Sequence, residues 1–93
     1  MALTVRETIK LFENSLKGMR CSAVRRALEK LKFNVRDAAA GHRVVSHPGL
    51  AGFHGASFNC GHGRDDLVKP IYIRNLVKVL IQWQEELEAI HGE

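Results

Sequence analysis

Three side chains that could act on a phosphate group lie close together in the middle of the chain: His42, Arg43 and His47. They belong to the stretch 41–49, Gly-His-Arg-Val-Val-Ser-His-Pro-Gly. Valines between a glycine and a Pro-Gly pair indicate a short strand that stops at the proline. An imidazole that titrates near neutral pH, carried on a strand beside a cation, is suited to phosphate chemistry. The same residues are equally typical of an edge strand that has polar side chains on its exposed face.

The face of this strand on which each histidine lies depends on which valine points into the core. Successive side chains alternate, so His42 and Ser46 lie on the face opposite His47. If Val45 is buried, His42 and Ser46 point outward; if Val44 is buried, His42 is half-buried beside it and His47 is exposed. Both valines are apolar, so the sequence leaves this choice open.

The charge distribution favours a polyanionic ligand. The chain has 93 residues and a net charge of +4, but its first 83 residues carry 14 basic and 6 acidic side chains. A basic body followed by an acidic end suits nucleic acid. The predicted second helix supplies four candidate phosphate contacts, Arg25, Arg26, Lys30 and Lys32. The alternative is that they form an ordinary solvated face.

Composition and cysteine use predict a cytoplasmic protein. There is no run of 18 apolar residues that could span a membrane. The N-terminal residues lack the apolar core of a signal peptide. Cys21 and Cys60 are far apart in the sequence, and in a cytoplasmic context we expect both to be free thiols.

The elements around the central strand predict an α+β domain. Thr4, with Glu7 three residues later, predicts the start of a helix that ends near Gly18. Ser22 predicts the start of a second helix through about Lys32. Strands are expected over 33–37, 42–47 and 56–60, and Pro70 opens a last helix with an apolar stripe. That stripe comprises Ile73, Leu76, Val77, Leu80, Ile81 and Leu87.

The predicted order is therefore α-α-β-β-β-α, a three-stranded antiparallel sheet with helices on one face. The length allows one domain, residues 1–93. Within it we expect an extra N-terminal helix over 1–18, a core over 20–83 and an acidic tail over 84–93. The uncovered face of the sheet would be free for a ligand.

Three segments, 31–33, 41–50 and 68–76, resemble the HicA-type toxins of bacterial toxin–antitoxin pairs. The family pattern is a helix, a strand, a Gly-Ser-His-x-x-Phe-x-His-Pro strand, a third strand and a final helix. The resemblance implies a fold like that of a double-stranded-RNA-binding domain. It also implies a small ribonuclease that cuts mRNA without a metal or other cofactor and is held inactive by a HicB-type antitoxin.

The catalytic histidine of that family falls on His42. Two positions depart from the pattern: the Gly-Ser step is Ala40-Gly41, and the phenylalanine is Val45. The missing hydroxyl before His42 is consistent either with an altered active site or with a relative that binds RNA without cutting it.

Cutting RNA without a metal needs a base for the 2′-hydroxyl proton, an acid for the leaving oxygen and cations for the crowded phosphate. An unperturbed imidazole, with a pKa of about 6.5, suits either proton role. We expect His42 to fill one, and His47 or His62 the other. Arg43 or Lys69 would stabilise the developing negative charge.

Two other kinds of function stay open. One is a non-catalytic RNA- or DNA-binding module that uses the four cations of the second helix. The other is a zinc site, for which His42, His47, Cys60 and His62 are suitable ligand types. The first would bind RNA and leave it intact, and the second would require these side chains to converge.

Overall fold

The structure is a computed structural model that describes residues 3–61 and 66–93. The α+β prediction is confirmed, with a central antiparallel sheet of strand order β2-β3-β4. This part of the chain also contains a two-stranded sheet, β1 with β5, which the sequence did not predict. The strands are β1 Met19–Arg20, β2 Asn34–Asp37, β3 His42–Ser46, β4 Ala56–Asn59 and β5 Leu67–Val68; the helices are α1 Val5–Glu13, α2 Cys21–Lys30, α3 Pro70–Gln82 and α4 Gln84–His91.

The first helix begins where the sequence predicts and ends earlier. Thr4 and Glu7 form a capping box, in which each side chain accepts the other residue's backbone N–H. These hydrogen bonds hold the pKa of the Glu7 carboxyl below its ordinary value. The helix ends at Glu13 rather than near Gly18, so Leu16, which we expected in the buried stripe, is 37% exposed.

The second helix begins one residue before the predicted cap. Arg20 occupies the N-cap position, without a side-chain cap bond, and the helix runs from Cys21 to Lys30. It packs on β2. Lys32, which we expected near the end of the helix, has a φ of 73° and lies in the turn toward β2. The left-handed backbone at this position ends the helix and redirects the chain into the sheet.

The predicted C-terminal tail is a fourth helix. The apolar stripe of α3 breaks at Trp83, and α4 starts at the next residue. Leu87 is buried on α4, whereas Ile81, predicted to belong to the buried stripe, is 51% exposed. Trp83 separates the two helices, so the buried residues of the predicted stripe belong to two elements.

Cys21 and Cys60 form a disulfide, so the prediction of two free thiols is wrong. Their Cα atoms lie 5.5 Å apart although 39 positions separate them in the sequence. The start of α2 and the end of β4 meet in the fold, a long-range contact that spacing does not reveal. Disulfides persist mainly in oxidising compartments. The cytoplasmic prediction therefore loses the support that free thiols would have given and stays a prediction.

Across the described residues, no helix combines the length and apolar character needed to cross a membrane.

Candidate functional site

The register of the central sheet settles which face of β3 is buried. Val45 pairs with Val35 on β2 and with Ala56 on β4, and its side chain is 1% exposed. His42 and Ser46 are exposed on the opposite face. Of the two alternatives left open by the sequence, the one with Val45 inward is correct.

The outward face of the sheet is mostly polar. His42 pairs with Asn59, Val44 lies between Arg36 and Ser57, and Asn34 pairs with Ser46. Paired residues of antiparallel strands project to the same side, so Asn59 flanks His42 directly. Ala38 donates its backbone N–H to the carbonyl of His42, which places Arg36 diagonally across from the imidazole. The sequence therefore aligns an imidazole, an amide and a guanidinium on one accessible surface.

Asn59 also connects this surface to a cleft of about 610 Å³. The cleft is lined by residues from the end of β4, the β1–β5 sheet and the start of α3, among them Arg20, Asn59, Asp66, Lys69 and Tyr72. The lining combines two cations with one carboxylate, an amide and an aromatic ring. The excess of cations and the ring suit a nucleotide, whose phosphate is anionic and whose base can stack. The exposed His42 thus stands beside this cleft, because its cross-strand partner Asn59 lines it.

The backbone conformation of Gly41 allows His42 to occupy this position at the start of β3. Its φ is 81°, and a Cβ there would collide with the carbonyl oxygen of Gly61 and lie 3.0 Å from Asn59 Oδ1. The preceding Ala40 is also left-handed, with a φ of 58°. The Cys60 N–H donates to the Gly41 carbonyl at 2.9 Å. The backbone before His42 is therefore held tightly against the end of β4.

We expect Gly41→Ala to be more damaging than the same change at another left-handed glycine. Gly52 has a φ of 84°, and among the described residues its Cβ would meet only Trp83, at 3.7 Å. Gly52→Ala should lower the free energy of unfolding by about 1–2 kcal/mol through backbone strain alone. Gly41→Ala should lose about 1–3 kcal/mol more from overpacking. Urea denaturation of both variants measures the difference, and equal losses would show that the approach to Gly61 tolerates a methyl group.

His47, the second predicted catalytic residue, lies on the other face and is 7% exposed. Its Nε2 lies 2.9 Å from the Leu31 carbonyl oxygen, and its Nδ1 accepts the Gly49 N–H at 3.0 Å. Because Nδ1 accepts, Nε2 carries the proton and donates it to Leu31. The ring also meets Phe33 edge-on, with centroids 4.8 Å apart. Both nitrogens are engaged in holding the turn after β3, so the structure separates His47 from the surface that carries His42.

Two of the predicted RNA-binding arginines are paired with one carboxylate. Arg25 Nη1 lies 2.9 Å from Asp37 Oδ1 and its Nη2 donates to the Val35 carbonyl at 3.0 Å, which ties α2 to β2. Arg43 Nε lies 3.1 Å from the same Oδ1, an ion pair without good hydrogen-bond geometry. These contacts give Arg25 and Arg43 a structural role at the end of the sheet, on its helix-facing side.

The other predicted phosphate contacts are distributed over the surface. Lys69 lines the cleft near Asn59. Arg26 and Lys30 instead border a separate shallow groove between α1 and α2, next to Leu3 and Leu11. Lys32 is exposed in the turn before β2. Of the six predicted RNA-binding cations, the structure brings only Lys69 into the cleft beside the His42 surface.

The residues proposed for a zinc site do not converge in the part of the chain described. Cys60 has no thiol to offer because it is bonded to Cys21. His47 is buried on the face opposite His42. His62, also a candidate for the second proton role, lies outside the described residues. No group of three potential metal ligands occurs among residues 3–61 and 66–93.

Sequence reasoning missed four residues that shape the site: Arg20, Arg36, Asn59 and Tyr72. Arg36 and Asn59 carried a usable signal, because each is next in sequence to a residue predicted or found to be buried and so points outward. Arg20 and Tyr72 carried none. They reach the cleft through the pairing of β1 with β5 and the placement of α3, which no local pattern indicates.

Comparison with known proteins found no match for this chain among protein-family models, curated proteins or solved structures. The chemical interpretation of the site therefore rests on its own geometry and on the resemblance of its motifs.

Proposed function

We propose that this protein is a metal-independent endoribonuclease in which His42 transfers a proton during cleavage. The observation that carries the proposal is the position of His42. It is an exposed imidazole, opposite Asn59 and diagonal to Arg36, at the margin of a cleft that contains Arg20 and Lys69. A proton-transfer group, hydrogen-bonding groups and cations on one accessible surface are what phosphodiester cleavage requires.

In the proposed reaction, the 2′-hydroxyl oxygen attacks the adjacent phosphorus and the bond to the 5′ oxygen of the next nucleotide breaks. His42 as base takes the hydroxyl proton, and the departing 5′ oxygen receives a proton from solvent. The products are a 2′,3′-cyclic phosphate and a 5′-hydroxyl end. Arg36 and Lys69 would offset the negative charge that accumulates on the phosphate, and Asn59 would orient it by hydrogen bonding.

The motif resemblance supports a biological setting for this activity. A HicA-like ribonuclease would act on mRNA as the toxin of a toxin–antitoxin pair in the cytoplasm, and a HicB-type antitoxin protein would silence it. A protein partner that covers the open face of the sheet would also cover His42. Occlusion of the substrate is thus the simplest form that inhibition would take.

A non-catalytic RNA-binding module is the second candidate, and one observation favours it. His47, one of the two residues expected to supply the second proton, is buried on the opposite face with both ring nitrogens bonded. The other, His62, lies outside the described residues. The open face and the cationic cleft would still bind RNA through its phosphates and 2′-hydroxyls. Turnover separates the two functions.

The test compares three oligonucleotides of one sequence: RNA, RNA with 2′-O-methyl groups throughout, and DNA. We expect the purified protein to cut only the first, at an undiminished rate in the presence of EDTA, and to leave cyclic-phosphate ends. The 2′-O-methyl strand keeps the phosphates but has no nucleophile, so it should bind and stay intact. RNA that is retarded in a gel but never cut would establish the binding module instead, and cleavage of DNA would exclude the 2′-hydroxyl mechanism.

A further inference from the structure

Both cysteines of the disulfide lie next to residues of the proposed site. Cys21 follows Arg20 in sequence, and Cys60 stands between Asn59 and Gly61; all three neighbours line the cleft. The backbone N–H of Cys60 donates to the Gly41 carbonyl, one residue before His42, at 2.9 Å. The backbone N–H of Cys21 donates to the carbonyl of Asp66, another cleft residue, at 3.0 Å.

We infer that formation of the Cys21–Cys60 disulfide is what makes the site competent, so that the newly made, reduced chain is folded but inactive. This inference rests on the proposed function and adds its regulation: in the reducing cytoplasm, where disulfides are rare, the chain would stay inactive until an oxidant joins its two cysteines. The bond fixes the end of β4 to the start of α2. Asn59 and the Gly41–His42 backbone are held by that end of β4. Without the bond, the imidazole and Asn59 lose their fixed position relative to the cleft cations.

The oxidation balances with a small disulfide as oxidant. The two cysteine thiols together lose two electrons and two protons and form one S–S bond, while a molecule such as oxidised glutathione accepts them and becomes two thiols. Afterwards Cys21 and Cys60 are 7% and 2% exposed. Exchange requires a thiolate to reach a sulfur atom, so burial protects the finished bond from reductants. Once formed, the disulfide would therefore be reduced slowly, and the activated state would last.

Contacts away from the disulfide hold the rest of the fold, so we expect the effect of reduction to be local. Val45 and Phe58 are buried in the core, and β2 pairs with β3 through four residue pairs, none of which includes a cysteine. The other end of α2 is fixed by the Phe33 N–H, which donates to the Leu28 carbonyl. We therefore expect the reduced chain to keep its sheet and lose order only where β4 ends.

The experiment prepares the chain reduced by a dithiol under nitrogen and oxidised by glutathione disulfide, and measures both RNA cleavage and amide hydrogen exchange. We expect kcat to fall at least tenfold in the reduced form while KM changes less than threefold. Exchange of the Cys60 amide should quicken at least 100-fold, whereas that of the Phe33 amide stays within threefold. Cys21→Ser/Cys60→Ser should behave as the reduced form under both conditions.

A matched control separates positioning from general loss of stability. Leu87→Ala removes a buried side chain from α4 and keeps the disulfide. It should be less stable yet retain the kcat of the unmodified oxidised protein. Equal activity of the two redox forms, or global unfolding on reduction, would overturn the inference. If neither form cuts RNA, the proposed function fails, and the exchange of the Cys60 and Phe33 amides still decides whether the bond orders the site.

Discussion

Replacing His42 by alanine is expected to lower kcat/KM for RNA by about 10²–10⁴-fold, the usual contribution of a positioned acid or base. The free energy of unfolding should change by less than about 0.5 kcal/mol, because the side chain is exposed. Initial rates on a single-stranded RNA and urea denaturation of the same preparation measure the two quantities. A large kinetic loss without a stability loss would assign the chemistry to this imidazole.

The matched control for that experiment is His54→Ala. His54 is also an exposed histidine, but it lies in the loop between β3 and β4. It should keep the rate of the unmodified protein, so that a loss at His42 is not a general effect of removing a surface histidine. Full activity in His42→Ala would reject the proposed mechanism. Equal losses in both variants would point to RNA binding by dispersed charge.

Loss of the Cys21–Cys60 bond should lower the free energy of unfolding by about 4 kcal/mol. The bond joins two residues that are 39 positions apart in the sequence. Closing a loop of this length removes conformational entropy from the unfolded chain, and that loss corresponds to about 4 kcal/mol. Small domains have about 5–15 kcal/mol of stability in total, so the reduced protein should remain folded but with a small margin. Urea denaturation with and without a dithiol measures the change.

The control is the double variant Cys21→Ser/Cys60→Ser, whose denaturation curve should not respond to the dithiol. Its stability should match that of the reduced protein within about 1 kcal/mol, since a hydroxyl replaces each thiol. If a thiol count shows that the dithiol has reduced the bond and the curve of the unmodified protein is unchanged, the bond contributes no stability. A dithiol that shifts the curve of the double variant would mean that the effect does not come from this bond.

The parts of the fold that follow from local patterns were predictable. The Thr4–Glu7 capping box, the inward positions of Phe33, Val35 and Phe58, and the order of the three central strands all depend on residues a few positions apart. The fourth helix was missed because three of its eight residues are glutamates, a composition typical of a solvent-exposed tail. Its one buried side chain, Leu87, was instead assigned to the stripe of α3.

The site was predictable only in part, for a physical reason. His42 was found because its neighbours resemble a motif, but its orientation depended on whether Val44 or Val45 is buried. Two adjacent valines carry the same local signal, so only packing against the helices decides between them. The cleft beside it is built by β1, β5 and α3, which are distant in sequence. Pairing between elements that are distant in sequence produces no periodic pattern in the amino-acid sequence.

The cross-link has a topological consequence. Cys21 and Cys60 enclose a covalent ring that contains α2 and all three strands of the central sheet, while α1, α3 and α4 lie on the two arms outside it. A protease that cuts once within the ring, for instance in the exposed Ala51–Gly52 turn, opens the ring but releases no fragment. The two arms, which pack against each other through α1 and α3, stay attached to the sheet. One backbone break is therefore insufficient to separate His42 from its neighbours.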